Sequence, residues 1–368
     1  MIIPFFIMNR GCRHRCRFCN QGLTAGNHPE EIASAAFTAR VRSFLASRGE
    51  KPGSVQIAFY GGTFTALPEA EQERLLALAE PFLKGGEVRG IRLSTRPDSL
   101  DARRISRLRD LGVTTIEVGA QSMDDRVLAK SDRGHGSEEV RQAVTALREA
   151  GIETGLHLMA GLPGDSPELF SATIGKAIDL RPDTVRIHPT LVLRDTPLAE
   201  DFLRGHYRPL TLDEAIGWCR QALQRLTAAR IPVIRLGLQS TAEMEAPGAI
   251  LAGPFHPAFR SLVEGSLFQK MAFALLSLGE AREAFRQDAS PLFSVAPSDI
   301  SLFLGPGRIY LAALEKKFPF PPVRVSTDPS LCRGTLILQA GSQQWRTDFS
   351  DFEPPQPESS PQTGVWSQ

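Results

Sequence analysis

Three cysteines fall within eight residues near the start of the chain, Cys12, Cys16 and Cys19 in GCRHRCRFCN. Gaps of three and then two residues let all three thiols reach a single centre. That is metal chemistry rather than disulfide chemistry, because five cysteines in 368 residues are too few for a disulfide framework. A structural zinc site normally closes its coordination with a fourth Cys or His. His14 could be that ligand, although its place between two of the cysteines reads better as a solvated loop residue. An iron–sulfur cube held by three thiolates instead leaves one iron open to an outside ligand. Cys219, in the helical run EAIGWCRQAL, and Cys332, in an irregular stretch, read as ordinary buried or partly buried thiols.

These cysteines need a scaffold, and the sequence supplies one. Up to about residue 230, short β-rich runs alternate with amphipathic helical runs, a pattern that implies parallel strands. Six strands are predicted: IIPFFIM from Ile2, VQIAFY from Val55, IRLST from Ile91, TTIEVG from Thr114, ETGLHLM from Glu153 and TVRIHP from Thr184. Helical runs with apolar residues three and four apart lie between them, several starting at Pro, Ser or Asp. Six β/α units fit either a partial barrel or an open doubly wound sheet, and both place the site at the strands' carboxyl ends. The unusual residues sit there: the cysteines after the first strand, Gly61, Gly62 and Thr63 after the second, Arg96 and Asp98 after the third, Gln121 after the fourth.

Past residue 230 the alternation stops. A strand-like IPVIRLGLQ, a Gly/Pro loop and helical runs near 259 to 287 and 306 to 317 predict a small α+β extension over 231–350. The Pro, Ser and Gln of 351–368 predict a disordered tail. Apolar residues make up 42% of the chain and charged residues 23%, as in ordinary globular domains. Lysine and arginine number 42 against 41 acidic residues, so no global basic field draws the chain to nucleic acid or membrane. No run approaches a membrane span, and the opening lacks a basic leader, so a cytoplasmic protein with no membrane partner is expected.

CxxxCxxC with Phe18 just before its last cysteine, followed by GGT after a strand, resembles the cluster loop of the radical S-adenosylmethionine (SAM) enzymes. The resemblance continues through AFYGGTFTAL, LSTRPDSL, GVTTIEVGAQSMDDRVLAKSDRGH, LMAGLPGD and RIHPTLVLRDTPLAEDFLRGHYRPLTLDEAI. Taken in order, these look most like the radical SAM half of the Elongator catalytic subunit, and more distantly like oxygen-independent coproporphyrinogen oxidases. Most of residues 1 to 265 is covered.

The resemblance implies a partial (β/α)6 TIM-like barrel over residues 1–230. It implies a 4Fe-4S cluster on Cys12, Cys16 and Cys19, with SAM on the open iron and split to a 5′-deoxyadenosyl radical by an electron from a donor such as flavodoxin or ferredoxin. Gly61, Gly62 and Thr63 would accept from the SAM amine, where a plain tight turn is the simpler account. Gln121 would lie near the ribose, and Arg133 would neutralise the methionine carboxylate. Relatives usually carry glutamate at Ser94, so that contact is missing here or supplied elsewhere. Arg96 faces the cavity on this reading, whereas Asp98 serves equally well as a helix cap.

His157 would touch SAM or move a proton with a pKa near neutrality, or else be a hydrogen-bonded core residue. Arg186 and His188, two apart on a strand, share a face and would meet substrate or adenine. Elongator-like relatives imply tRNA wobble uridine as substrate, and Arg10, Arg13, His14, Arg15 and Arg17 give the loop a positive density that phosphates would favour. An arginine-rich composition explains that density as well. No pyrophosphate loop of an acetyl-CoA site is evident after residue 265, and a basic arm before the first strand is not seen. Two rival readings stand beside tRNA: a small-molecule or porphyrin-like substrate, and a non-catalytic scaffold that binds cluster or SAM.

Overall fold

Apolar and polar residues alternate along the strands, and that period of two gives the main sheet two unlike faces. A computed structural model of the chain describes residues 1–8, 10–12, 14–26, 31–48, 55–285, 290–318 and 322–352. It divides into two compact units, Met1–Arg260 and Ser261–Gln368. The first holds β1 (Ile2–Phe6), β2 (Gln56–Tyr60), β3 (Gly90–Thr95), β4 (Val113–Gln121), β5 (Glu153–Ala160), β6 (Thr184–Pro189) and β7 (Val233–Leu236). All seven pair in parallel and in sequence order, in a sheet that curls into a half-barrel. The crossovers carry α1 (Ser34–Arg48), α2 (Glu69–Lys84), α3 (Ala102–Asp110), α4 (Ser137–Glu149), α5 (Pro167–Asp179) and α6 (Leu212–Ala228).

The six strands expected from the sequence form where their β-rich runs lie. The seventh corrects the reading of 231–350 as one extension: IPVIRLGLQ contributes β7, which pairs with β6 through Val185–Val233 and Arg186–Arg235. Backbone donors and acceptors left bare along β6 would otherwise need another partner, and β7 satisfies them. The first unit accordingly runs to Arg260.

Ile91, Leu93, Ile116, Val118, Leu156, Leu158, Val185 and Ile187 fill the helix-facing side, none more than 1% exposed. Their neighbours Ser94, Glu117, His157, Arg186 and His188 turn to the other side and line a cavity. Helix starts are fixed locally. Asp101 caps α3 by accepting from the Arg104 N–H, Ser166 caps α5 ahead of Pro167, and Thr211 with Glu214 forms a capping box on α6. Each such cap is worth about 1 kcal/mol. Asp98 is not a cap, since both its carboxylate oxygens accept from Arg96 instead.

The second unit has its own core around Phe268, Phe293, Phe303, Leu336 and Leu338. Its sheet joins Leu292–Val295 in parallel to Arg324–Thr327 and antiparallel to Thr335–Ala340, which pairs with Gln343–Asp348. The expected tail lies outside the described residues except for its first two, of which Phe352 is buried in that core. Cys219 is buried in α6 as expected, whereas Cys332 is exposed. No described helix is long and apolar enough to cross a membrane.

Candidate functional site

A cavity of about 930 Å³ opens at the carboxyl ends of the strands, and all three clustered cysteines line it. The loop carrying them leaves β1 and is clamped onto the turn after β2: the Thr63 N–H donates to the Arg10 carbonyl at 3.0 Å, and the Arg10 N–H to that of Ile7. Gly61 takes a φ of +83°, which only glycine adopts freely. Gly62 has a different reason to be glycine, because a Cβ there would stand 2.5 Å from the Arg10 carbonyl oxygen. Gly62→Ala should therefore displace the cysteine loop at a cost of about 1–3 kcal/mol. Iron bound per chain after anaerobic reconstitution is the measurement, and it should fall well below that of the unchanged protein.

Cys12 lies 3.3 Å from the Thr63 hydroxyl, and the buried Cys16 thiol accepts from Arg133 Nη1 at 2.9 Å. Cys19 faces the cavity. The residue is exposed at the cavity mouth, and desolvation of its sulfur, then the proximity of Cys16 and Cys12, push its thiol up to about 12. Among the described residues no three His, Cys, Asp or Glu side chains are gathered closely enough to share one metal ion. Three thiolates suit a cube whose irons take one each and leave one iron open, whereas a structural zinc would need a fourth protein donor. His14 is exposed and joins no such group. Phe18 packs on Val127, Met159 and Leu162 and forms part of the cavity wall.

The same cavity holds polar atoms that the chain itself leaves unsatisfied. Gln121 ends β4 after a register shift, with φ +68° and a buried Oε1 that accepts from nothing. A non-glycine residue held in that conformation beside an orphaned acceptor is strain of the kind that clusters at ligand sites. Arg96 Nη1 is likewise buried without a partner, while its other nitrogens hold Asp98 and the Arg133 carbonyl. Arg133 also donates to His135 Nε2 and to the Gly119 carbonyl. Ser94 reaches the carbonyls of Phe59 and Gly62 at 3.4 Å, so it closes the floor under the turn after β2. Ligand amines, hydroxyls and carboxylates fit these atoms.

His157 lines the cavity from β5. Burial first, and Arg186 second, hold its ring down to about 4, so it is neutral at pH 7 rather than poised near it. Its Nε2 meets His188 Nδ1 at 3.0 Å. Arg186 and His188 do share the cavity face of β6.

Beneath them lies a buried charge network that the motifs did not single out. Glu117 on β4 binds Arg92 Nη1 at 2.8 Å, Arg186 Nε at 2.7 Å and the Tyr60 hydroxyl at 3.0 Å. Arg92 in turn donates to Gln56. The signal was available as ionisable residues at alternate positions of otherwise apolar strands, IRLST and TTIEVG.

The arginines of the cysteine loop are largely neutralised. Arg10 pairs with Glu71 at 2.8 Å, and Arg17 bridges Asp132 and Asp201. Arg15 is exposed, and Arg13 lies outside the described residues.

Residues 6–177 match the Radical SAM superfamily model and residues 182–269 that of the radical SAM C-terminal domain. The tRNA uridine(34) acetyltransferase of Methanocaldococcus infernus is 29% identical over 244 residues, 56% of this chain and 46% of that one. Human Elongator complex protein 3 is 27% identical over 208 residues, 49% of this chain and 38% of that one. Among solved structures, an N-terminally truncated Elp3 from M. infernus superposes with a TM-score of 0.55 at 26% identity, covering 65% of this chain and 59% of that one. The chain spans about half the length of the curated relatives it matches. Likeness along the first unit, a curled parallel sheet and a three-cysteine loop at its carboxyl rim point the same way, and the chain belongs to the radical SAM superfamily.

Proposed function

We propose that the chain is a radical SAM enzyme whose Cys12, Cys16 and Cys19 hold a 4Fe-4S cluster and whose strand-end cavity binds SAM. The observation that carries this reading is the cysteine loop locked over the turn after β2, within the cavity where the Gln121 carbonyl oxygen lacks a donor. Bound there, cluster and SAM supply an electron-driven cleavage of the sulfonium that yields a 5′-deoxyadenosyl radical.

The protein's share is positioning. Gln121 accepts from a ligand hydroxyl, and Arg133 and Arg96 place positive charge near a carboxylate. Phe18, Met159 and Leu191 give the cavity apolar walls that limit water around a reactive intermediate. A low-potential donor such as flavodoxin or ferredoxin supplies the electron.

Transfer RNA is the substrate class that the names of the relatives support, with wobble uridine as the site of modification. Mass spectrometry of tRNA nucleosides from cells with and without the gene should reveal one nucleoside lost. An unchanged profile removes tRNA. A small-molecule substrate is the second reading, favoured by the carboxylate partners of Arg10 and Arg17, which leave little free positive charge for phosphates. Retention of bulk tRNA that weakens steeply with salt would favour RNA, and no retention at low salt would favour the small molecule.

A further inference from the structure

The far wall of the cavity carries more positive charge than the chain neutralises. Arg186 and Arg235 line it, and the Glu117 carboxylate beside Arg186 is already engaged with Arg92 and Arg186. Arg235 sits on β7 directly beside Arg186 in the strand register. Its one hydrogen bond goes to the amide oxygen of Gln239, at 3.1 Å, and among the described residues it has no carboxylate partner. Desolvation first, and the neighbouring Arg186 second, hold its pKa below the ordinary value; Tyr60 raises it and Arg260 lowers it further. The nearby histidines add no charge at pH 7, both being held neutral by burial.

Beside these arginines His188 has one nitrogen occupied and one idle. Its Nδ1 faces His157 Nε2, while its Nε2 is buried without a partner. When His157 donates in that pair, the neutral ring of His188 keeps its proton on Nε2 and becomes a free donor. A half-buried guanidinium without a counter-ion and a buried donor without an acceptor have one remedy in common, an oxyanion between them. β7 and β1 are the two edges of the sheet, so this wall is separate from the strand that leads into the cysteine loop.

We propose that Arg235, with Arg186 and His188, forms an oxyanion subsite that anchors a carboxylate or phosphate of the substrate. The proposal deepens the radical SAM reading and rests on it, since it places the substrate in that same cavity.

The test is thermal unfolding of the full chain at fixed ionic strength, titrated with inorganic phosphate or with acetate. It is run as purified and again after anaerobic reconstitution with saturating SAM. One of the anions should raise the midpoint saturably, and which one does so identifies the substrate as a phosphate or a carboxylic acid. Arg235→Gln should weaken the apparent affinity at least about tenfold, Arg235→Lys should restore part of it, and Arg89→Gln, at the amino end of β3, should leave it unchanged. A response equal in Arg235→Gln, no saturable response to either anion, or a response that disappears once SAM is bound would each overturn the subsite. SAM cleavage is assayed on the same preparations: its failure with anion binding intact sinks the enzyme reading alone, and the reverse result sinks only the subsite.

Discussion

Cys16→Ala should abolish formation of 5′-deoxyadenosine from SAM in anaerobically reconstituted protein given dithionite, with the loss exceeding about hundredfold. Three thiolates hold a cube by three of its irons, so removing one leaves two anchors and no fixed orientation for the open corner. Cys16 is the most buried of the three, and its sulfur is also the acceptor for Arg133 Nη1. The substitution therefore frees that guanidinium as well as the iron. Iron per chain and visible absorbance should fall in parallel with product.

Cys219→Ala is the control. That thiol is wholly buried in α6 and lines no part of the cavity, so its loss trims packing and should leave iron content and product formation in place. Iron retained in Cys16→Ala, or zinc without iron in the unchanged chain, would remove the ground for the proposed chemistry. Well-reconstituted protein that binds SAM without cleaving it would leave a scaffold.

Spacing along the chain made the cysteine loop legible, because three thiols in eight residues are a local signal. So were six strands, each a run of β-branched or aromatic residues next to an amphipathic helical run. β7 was harder: it has four residues, Ile234 is half-exposed on it, and the helix that should have announced it, α6, was separated from the preceding strand by a long connection. Only pairing with β6 makes it part of the sheet. The partners of Arg17 lie 115 and 184 residues away, so no window on the sequence distinguishes a neutralised arginine loop from a basic patch. His157 was placed at the right strand end with both roles open, and choosing between them needs its pKa, which depends on how deeply the curled sheet buries it and on Arg186 beside it.

Glu117→Gln should destabilise the first unit by about 3–5 kcal/mol, the cost of leaving buried charges without their counter-ion. For a unit of this size that corresponds to a fall of roughly 10 °C in unfolding midpoint. Glutamine keeps the shape of the side chain and can still accept from Tyr60, but Arg92 and Arg186 then face each other with no negative charge between them. Adding Arg186→Met should recover part of the loss, because it removes one of the two stranded cations along with its desolvation cost. Equal midpoints for the wild type and Glu117→Gln would mean that water or another group already screens the arginines.

The pH dependence identifies the cause. Burial alone would push the Glu117 carboxyl up, but Arg186 and Arg92 outweigh it and hold its pKa below the ordinary 4.5. A depressed folded pKa means that the unfolded chain binds more protons in the window below 4.5, so this stabilisation is complete above that value and is lost as pH falls through the folded pKa. Glutamine cannot titrate, and the gap between the two proteins should therefore be constant from pH 8 down to about 5 and close in stronger acid. Wild type and variant should share an earlier decline that begins near 6.5, where the unfolded chain protonates histidines that the fold keeps neutral: His135 and His157, held down to about 4, and His188, held well below 6.5 by burial. A gap that opened rather than closed in acid would assign the stability to the glutamate's shape instead of its charge.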